Sequence, residues 1–114
     1  MASIEVNGKT IELDDNGNLT NPSDWDEDVA RALAAADDTM SELTDEHFDV
    51  IKYLRSKYFD DNEQPMERVI NKEMGKIWGK KLSSKDLYRL FPGAPSKQGN
   101  RIAGLPYVAR KGGY

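Results

Sequence analysis

Hydrophobic and polar residues alternate with a period of two at the start of the chain, which is typical of strands with one buried face. Asn7-Gly8 separates two such runs, and it favours a two-residue hairpin turn because both central positions need positive φ. Asp14 to Gly17 predicts a second turn, and residues 18–20 could form a short third strand. The pattern predicts a small antiparallel β-meander, with its apolar positions at Ile4, Val6, Ile11 and Leu13.

Further along, the apolar positions recur every three or four residues, which indicates amphipathic helices. We expect a first helix from about Asp24 to Ala36, with Ser23 as its N-cap and acidic residues in its first turn. A second helix begins after Thr44, and its apolar stripe is formed by Phe48, Ile51, Leu54 and Tyr58.

Proline and glycine divide the remaining sequence into shorter helices. Pro65 suits the first turn of a third helix, and Gly75 is expected to end it. A basic connector over residues 76–83 leads to a fourth helix at about 84–91, and a last helical segment covers about 96–103.

The predicted fold class is therefore α+β: a small N-terminal antiparallel β-meander packed on an array of four to five short helices. At 114 residues the chain is expected to form one domain, over residues 1–104. The proline and glycines that follow predict a mobile C-terminal arm over residues 105–114.

Composition narrows the possible chemistry. The chain has no cysteine and one histidine, which excludes disulfides, thiolate metal sites and histidine-rich metal sites, and we predict no metal and no cofactor. No apolar run reaches the ~20 residues of a membrane span, and no secretory signal is seen, so a cytoplasmic protein without a membrane partner is expected.

Charge is divided unevenly along the chain. Residues 1–50 hold 14 acidic and 2 basic side chains, whereas residues 51–114 hold 6 acidic and 14 basic ones. Such asymmetry is compatible with nucleic-acid or acidic-protein binding by the basic half, or with attraction between two halves that fold against each other.

Several ordered motifs resemble the DsrC/TusE family of sulfur-relay proteins, which includes the gamma subunit of dissimilatory sulfite reductase. The most specific is residues 90–106, Leu-Phe-Pro-Gly-Ala-Pro-Ser-Lys-Gln-Gly-Asn-Arg-Ile-Ala-Gly-Leu-Pro, which is similar to the family's carboxy-terminal arm. Earlier matches are Val6, Gly8 and Lys9; Asp24, Trp25 and Val29; Leu43, Thr44, Glu46, His47 and Phe48; and Ile51, Leu54, Arg55 and Tyr58. The family fold, a β-meander on helices with a movable arm, agrees with the pattern.

The resemblance also implies two sulfur-carrying cysteines, and both are missing here. Asn100 occupies the upstream position and Gly113 the penultimate one. A thiolate is the nucleophile and the sulfur carrier, so neither residue can hold a persulfide. The last residues also differ from the family's ending around its second cysteine, which favours natural divergence over an engineered cysteine removal.

Two candidate sites follow. The resemblance implies a partner-docking arm, formed by Lys97, Arg101, Ile102, Ala103, Gly104, Leu105 and Pro106, in which Arg101 pairs with a carboxylate or a sulfur oxyanion. The alternative is that Ile102 and Leu105 simply pack on the domain. His47 is expected to be a polar, partly exposed helix-end residue without a catalytic role.

The second candidate is a basic surface in the predicted helices over 66–91. Two short helices around a connector could form a helix-turn-helix variant that binds nucleic acid, although the connector is long for that motif. The alternative is a solvated or protein-facing surface. Its cations are Lys72, Lys76, Lys80, Lys81, Lys85 and Arg89.

The leading hypothesis is a non-catalytic relative of the sulfur carriers, which is expected to be a monomer. It would dock to sulfite reductase or sulfur-relay proteins and regulate or compete with the cysteine-bearing carrier. One alternative is a DNA- or RNA-binding regulator that uses the basic surface. The other is a sulfur-transfer subunit whose sequence here is a cysteine-free variant.

Overall fold

The computed structural model describes residues 2–37, 39–40, 42–83 and 85–106. Its first element is a hairpin of strands β1 (Ala2–Val6) and β2 (Lys9–Leu13), paired antiparallel with Ile4 opposite Ile11. Asn7 and Gly8 have φ of 54° and 81°, as the predicted two-residue turn requires. The hairpin prediction is therefore confirmed.

The third strand of the predicted meander is reduced to one bridge between Leu13 and Leu19. The Asp14 carboxylate accepts hydrogen bonds from the backbone N–H groups of Asn16 and Asn18 and turns the chain there. Pro22 follows closely and has no N–H group to donate, so pairing does not continue. The described sheet has two strands.

Helix α1 (Glu27–Ala35) begins three residues later than predicted. Asp26, not Ser23, is the N-cap, and its Oδ1 accepts a hydrogen bond of 2.8 Å from the N–H of Val29. A short 3-10 turn, Pro22–Asp24, precedes it, with the Asn21 side chain accepting from the N–H of Ser23. Trp25 consequently lies outside the helix.

Helix α2 (Asp45–Asp61) follows the predicted Thr44 cap, and helix α3 (Glu67–Trp78) begins two residues after Pro65. The expected end of α3 at Gly75 is wrong, because the helix continues to a left-handed cap at Gly79 with φ of 68°. Two shorter helices complete the described chain: α4 (Asp86–Leu90) and α5 (Lys97–Ile102).

Helix α2 lies at the centre and packs on α3 and α5, while α1 packs between β1 and α5. The α+β prediction is confirmed, with five helices in the described part of the chain. None of the described helices is long and apolar enough to cross a membrane. The largest fully buried side chains, which form the centre of the core, are Phe91, Leu19, Ile51, Leu54, Ile70, Met74, Leu87, Ile102 and Leu105.

Candidate functional site

Asn100, which the sequence resemblance matches to the family's upstream cysteine, is completely buried in α5. Its side-chain Nδ2 donates to the backbone carbonyl of Ser96 at 2.6 Å, and its Oδ1 accepts from Gln64 Nε2 at 3.4 Å. Its backbone carbonyl accepts from the N–H of Leu105 at 2.9 Å. Buried amides are tolerated when hydrogen-bonded, so Asn100 is a structural residue that ties α5 to the chain on both sides.

Side chains from distant elements hold the backbone that follows α5. Four of the five carbonyl groups in residues 102–106 accept a side-chain hydrogen bond, so this segment is fixed without forming a strand. The donors are Trp25 Nε1 to Ile102 at 2.9 Å, Arg55 Nη1 to Ala103 at 2.7 Å, Asn18 Nδ2 to Leu105 at 2.9 Å and Gln64 Nε2 to Pro106 at 2.8 Å.

Arg55 is the charged member of this set. Its guanidinium lies 4.3 Å from the centroid of the Trp25 ring and 4.9 Å from that of Phe59, and a second N–H group donates to the carbonyl of Pro22. Burial lowers the pKa of Arg55 from its ordinary value. The two rings and two carbonyls compensate for the lost hydration of the guanidinium, so it serves as a bridge between α2 and the C-terminal segment.

The predicted docking arm is mostly part of the core. Ile102, Ala103 and Leu105 each have 0 % of their surface exposed, and Gly104 is also buried. The side chains of Ile102, Ala103 and Leu105 thus pack in the interior of the domain, as the alternative interpretation held. Leu105 extends the core one residue beyond the predicted domain boundary at residue 104. Of the arm, Lys97 is exposed and Arg101 and Pro106 are partly exposed; Gly113 and the rest of residues 107–114 lie outside the described residues.

Arg101 pairs with the Asp37 carboxylate of its own chain, and not with a group of a docked partner as the docking interpretation expected. Gln98 Nε2 donates to the same carboxylate and to Thr39 Oγ1, both at 2.9 Å. Burial raises the pKa of Asp37, but hydrogen bonds from Thr39 and Gln98 and the charge of Arg101 outweigh it and leave the pKa below its ordinary value. The pair stabilises the loop after α1 against α5.

His47 is buried, with 2 % of its surface exposed, so the expectation of a partly exposed residue is wrong. Its Nδ1 accepts from the N–H of Thr44 at 3.0 Å, and its Nε2 lies 2.9 Å from the carbonyl of Leu90, to which it donates. Burial lowers the pKa of His47, against the opposing effect of the Leu90 carbonyl. A neutral ring with both nitrogens engaged links α2 to α4 and is not placed for acid–base chemistry.

The predicted basic surface is divided into two parts. Lys72, Lys76, Lys80 and Lys81 line one cleft beside α3, together with Arg68. Lys85 lines an adjoining cleft, which shares Arg68 and Asn71 with the first, and Arg89 pairs with Asp86 at 3.3 Å.

The helix-turn-helix interpretation does not fit this arrangement. Helix α4 has five residues, little more than one turn, whereas a recognition helix must present several side chains along a groove. It was expected over 84–91, but the backbone N–H of Ser83 donates to the Asp86 carboxylate and the helix begins only at Asp86.

Four side chains that fix the C-terminal segment, Asn18, Trp25, Arg55 and Gln64, were not assigned this role from the sequence. Trp25 was expected inside the first helix, Arg55 appeared only as a family match, and isolated polar residues such as Asn18 and Gln64 leave no periodic pattern. Among the described residues, no group of three or more His, Cys, Asp or Glu side chains is placed to hold a metal ion.

Comparison with known proteins identifies the family. The family model described as "DsrC like protein" matches residues 5–109. The sulfurtransferase TusE of Photorhabdus laumondii is 40% identical over 107 residues, covering 93% of this chain and 95% of that protein. The sulfurtransferase TusE homolog of Haemophilus influenzae is 39% identical over 108 residues, covering 94% and 97% of the two chains.

Solved structures agree with this result. The NMR structure of Allochromatium vinosum DsrC has a TM-score of 0.86 and 44% identity, covering 95% of this chain and 96% of that one. The crystal structure of the oxidized gamma-subunit of the dissimilatory sulfite reductase (DsrC) from Archaeoglobus fulgidus has a TM-score of 0.85 and 38% identity, covering 96% and 98%. With the family model spanning most of its length and both sequence and fold in agreement, the chain belongs to the DsrC-like family.

Proposed function

We propose that this chain is a non-catalytic protein of sulfur metabolism that docks to sulfur-relay proteins or sulfite reductase without carrying sulfur. It would compete there with a cysteine-bearing relative. One observation carries the proposal: the chain retains the family fold but has no cysteine, and a buried, hydrogen-bonded amide stands at the upstream cysteine position. Relatives named sulfurtransferase TusE and the DsrC gamma-subunit supply the metabolic context.

Sulfur transfer between proteins requires a thiolate that attacks the donor and then holds the transferred atom as a persulfide. An amide nitrogen is not nucleophilic in this sense, and Asn100 is in addition shielded from solvent. The retained fold would therefore contribute shape and binding surface alone.

Docking is assigned to the exposed part of the C-terminal region. Lys97 lies at the start of α5 and Pro106 at the end of the fixed segment, and the chain continues from Pro106 into residues 107–114. The carbonyl of Pro106 is held by Gln64, so any partner contact made beyond it starts from a defined point on the domain.

The absence of sulfur transfer can be measured directly. We expect the chain, incubated with a persulfide-generating sulfurtransferase and its substrate, to keep its mass in intact-protein mass spectrometry. A TusE relative with its cysteine serves as the positive control. A stable adduct of one sulfur atom on this chain would refute the non-carrier proposal.

Docking requires a second experiment. The chain is added in increasing amounts to a reaction in which a persulfide donor protein labels the cysteine-bearing relative, and we expect the labelling rate to fall. Undiminished labelling at a tenfold excess would contradict competition.

The docking region is tested by pull-down from the native host with a chain ending at Pro106. This end point keeps Ile102 and Leu105, which are core residues, so circular dichroism should show an intact fold. Loss of the captured sulfur-metabolism proteins would support docking through residues 107–114, and unchanged capture would contradict it.

A further inference from the structure

A row of cations follows one side of α3. Arg68, Lys72 and Lys76 are spaced by four residues, which places them on the same helix face about 6 Å apart along the axis. Ile70 and Met74, on the opposite side, are fully buried, so the row faces away from the core.

A tight chain reversal adds two more cations to this row. Gly79 ends α3 with φ of 68°, and the N–H of Lys80 donates to the carbonyl of Gly75 at 2.9 Å. A Cβ atom on Gly75 would lie 2.8 Å from the Lys80 carbonyl oxygen, so glycine is needed for this close approach. The returning chain encloses a cleft of about 580 Å³, the basic cleft, lined by Arg68, Asn71, Lys72, Gly75, Lys76, Gly79, Lys80, Lys81 and Leu82.

The charges in the basic cleft are poorly neutralised by the chain itself. No acidic residue lines it, and Glu73, which pairs with Lys76 at 3.4 Å, is the one carboxylate in the described part of the chain that lies within ion-pair distance of its five cations. Like charges at i and i+4 on a helix repel by about 0.2–0.5 kcal/mol per pair. An anionic partner would relieve this repulsion.

Exposed apolar side chains lie beside the cations. Val69 and Ile77 directly follow Arg68 and Lys76, so they lie about 100° around the helix, with 36% and 58% of their surfaces exposed. A nucleic-acid backbone offers nothing apolar to cover these residues. Among the described residues no aromatic side chain lines the cleft for base stacking, and Trp78, whose ring centroid lies 5.6 Å from Lys80 Nζ, is outside the lining. An acidic peptide with aliphatic residues satisfies both parts of the surface.

We propose that the basic cleft and the adjacent Val69 and Ile77 side chains form a docking surface for an acidic, partly aliphatic segment of another protein, bound in an extended conformation. Alternate residues of an extended chain are about 6.6 Å apart, close to the spacing of the cations along α3. The surface is independent of the docking proposed for the C-terminal region, and neither proposal depends on the other.

The probe is a fluorescein-labelled peptide with glutamate at every second position and two leucines between them, measured by fluorescence anisotropy. We expect Lys72→Glu/Lys80→Glu to weaken binding at least tenfold. Lys52→Glu/Lys85→Glu makes the same change in net charge at exposed positions outside the cleft and should change affinity less than threefold. Ile77→Ser, which changes no charge, should weaken binding about threefold to fivefold.

The competing explanations give different results. Equal losses in the two double variants would reduce the effect to net charge and overturn the proposal. Tighter binding of a double-stranded DNA or single-stranded RNA oligonucleotide than of the peptide, dependent on Lys72 and Lys80, would assign the cleft to nucleic acid instead. Unchanged affinity of the peptide for Ile77→Ser would also refute the proposed docking surface. All substituted side chains are exposed, so unfolding free energies should stay within about 0.5 kcal/mol.

Discussion

Gly104 is the position at which one added methyl group should disturb the C-terminal segment most. Its φ of 71° is unfavourable for other residues, and a Cβ atom there would lie 2.5 Å from Cδ1 and 2.7 Å from Cβ and Cγ of Trp25. Gly79 has a similar φ of 68° and nothing within 4 Å of the corresponding Cβ position. Gly79→Ala is thus a matched control that carries the backbone cost without the side-chain contact.

The magnitude of each effect follows from the contacts. A left-handed conformation costs an L-residue about 1–2 kcal/mol, partly offset by about 0.4–1 kcal/mol from the less flexible unfolded chain, so Gly79→Ala should lose about 1 kcal/mol. In Gly104→Ala the Trp25 ring must also move. This weakens its hydrogen bond to Ile102, worth about 1 kcal/mol, and its stacking with Arg55, worth about 1 kcal/mol, and adds packing strain. We expect an additional loss of about 3 kcal/mol.

Urea denaturation followed by circular dichroism measures this difference. With a slope near 1.5 kcal/mol per M, the midpoint of Gly104→Ala should lie about 2 M below that of Gly79→Ala. In a Trp25→Gly background the extra loss should largely disappear, because the Cβ, Cγ and Cδ1 atoms that obstruct the methyl group are all gone. Equal midpoints for the two glycine variants, or an extra loss that persists without Trp25, would refute the reasoning.

Two further predictions concern the buried polar residues. Because burial lowers the pKa of His47 below its ordinary 6.5, the unfolded chain binds a proton more readily, and stability should fall as pH drops below 6.5. His47→Gln keeps a residue that can complete the Thr44 capping box but cannot titrate, so its unfolding free energy should depend less on pH below 6.5 than that of the unchanged chain. Equal slopes would contradict the assignment. Asn100→Cys should react with iodoacetamide at least about 100-fold more slowly than Asn16→Cys, an exposed control, since local opening by ~3 kcal/mol or more is needed to expose it. Equal alkylation rates would show that position 100 is accessible.

Local signals in the sequence predict the elements well where a residue acts on its immediate neighbours. Asn7-Gly8 specifies the hairpin turn through backbone conformation, and Thr44 caps α2 through the first turn of that helix. The start of α1 was misplaced because Ser23 and Asp26 are both competent caps, and the choice between them depends on where Trp25 packs. The sequence predicts a helix end at Gly75, whereas Gly75 lies inside α3, where the close approach of the Lys80 carbonyl leaves no room for a side chain.

The site was less predictable because its features depend on long-range contacts. The burial of Ile102 and Leu105 was one of two open alternatives. The neighbouring sequence does not distinguish an apolar residue that contacts a partner from one that packs in the core. The division of the basic residues into separate clefts follows from the reversal at Gly79, which the sequence did not reveal.

The hydrogen bonds that hold the C-terminal segment also bear on how the chain folds. Asn18 and Leu105 are 87 residues apart, and Trp25 and Ile102 are 77 apart. Closing a loop of that length costs about 2 kcal/mol more entropy than closing one of ten residues. Although about half of its described residues are helical, the protein should therefore fold more slowly than a helical bundle of its size, because the contacts that hold its C-terminal segment are non-local. The Leu105 amide, which is buried and donates to the carbonyl of Asn100, should exchange with deuterium only when the whole domain unfolds.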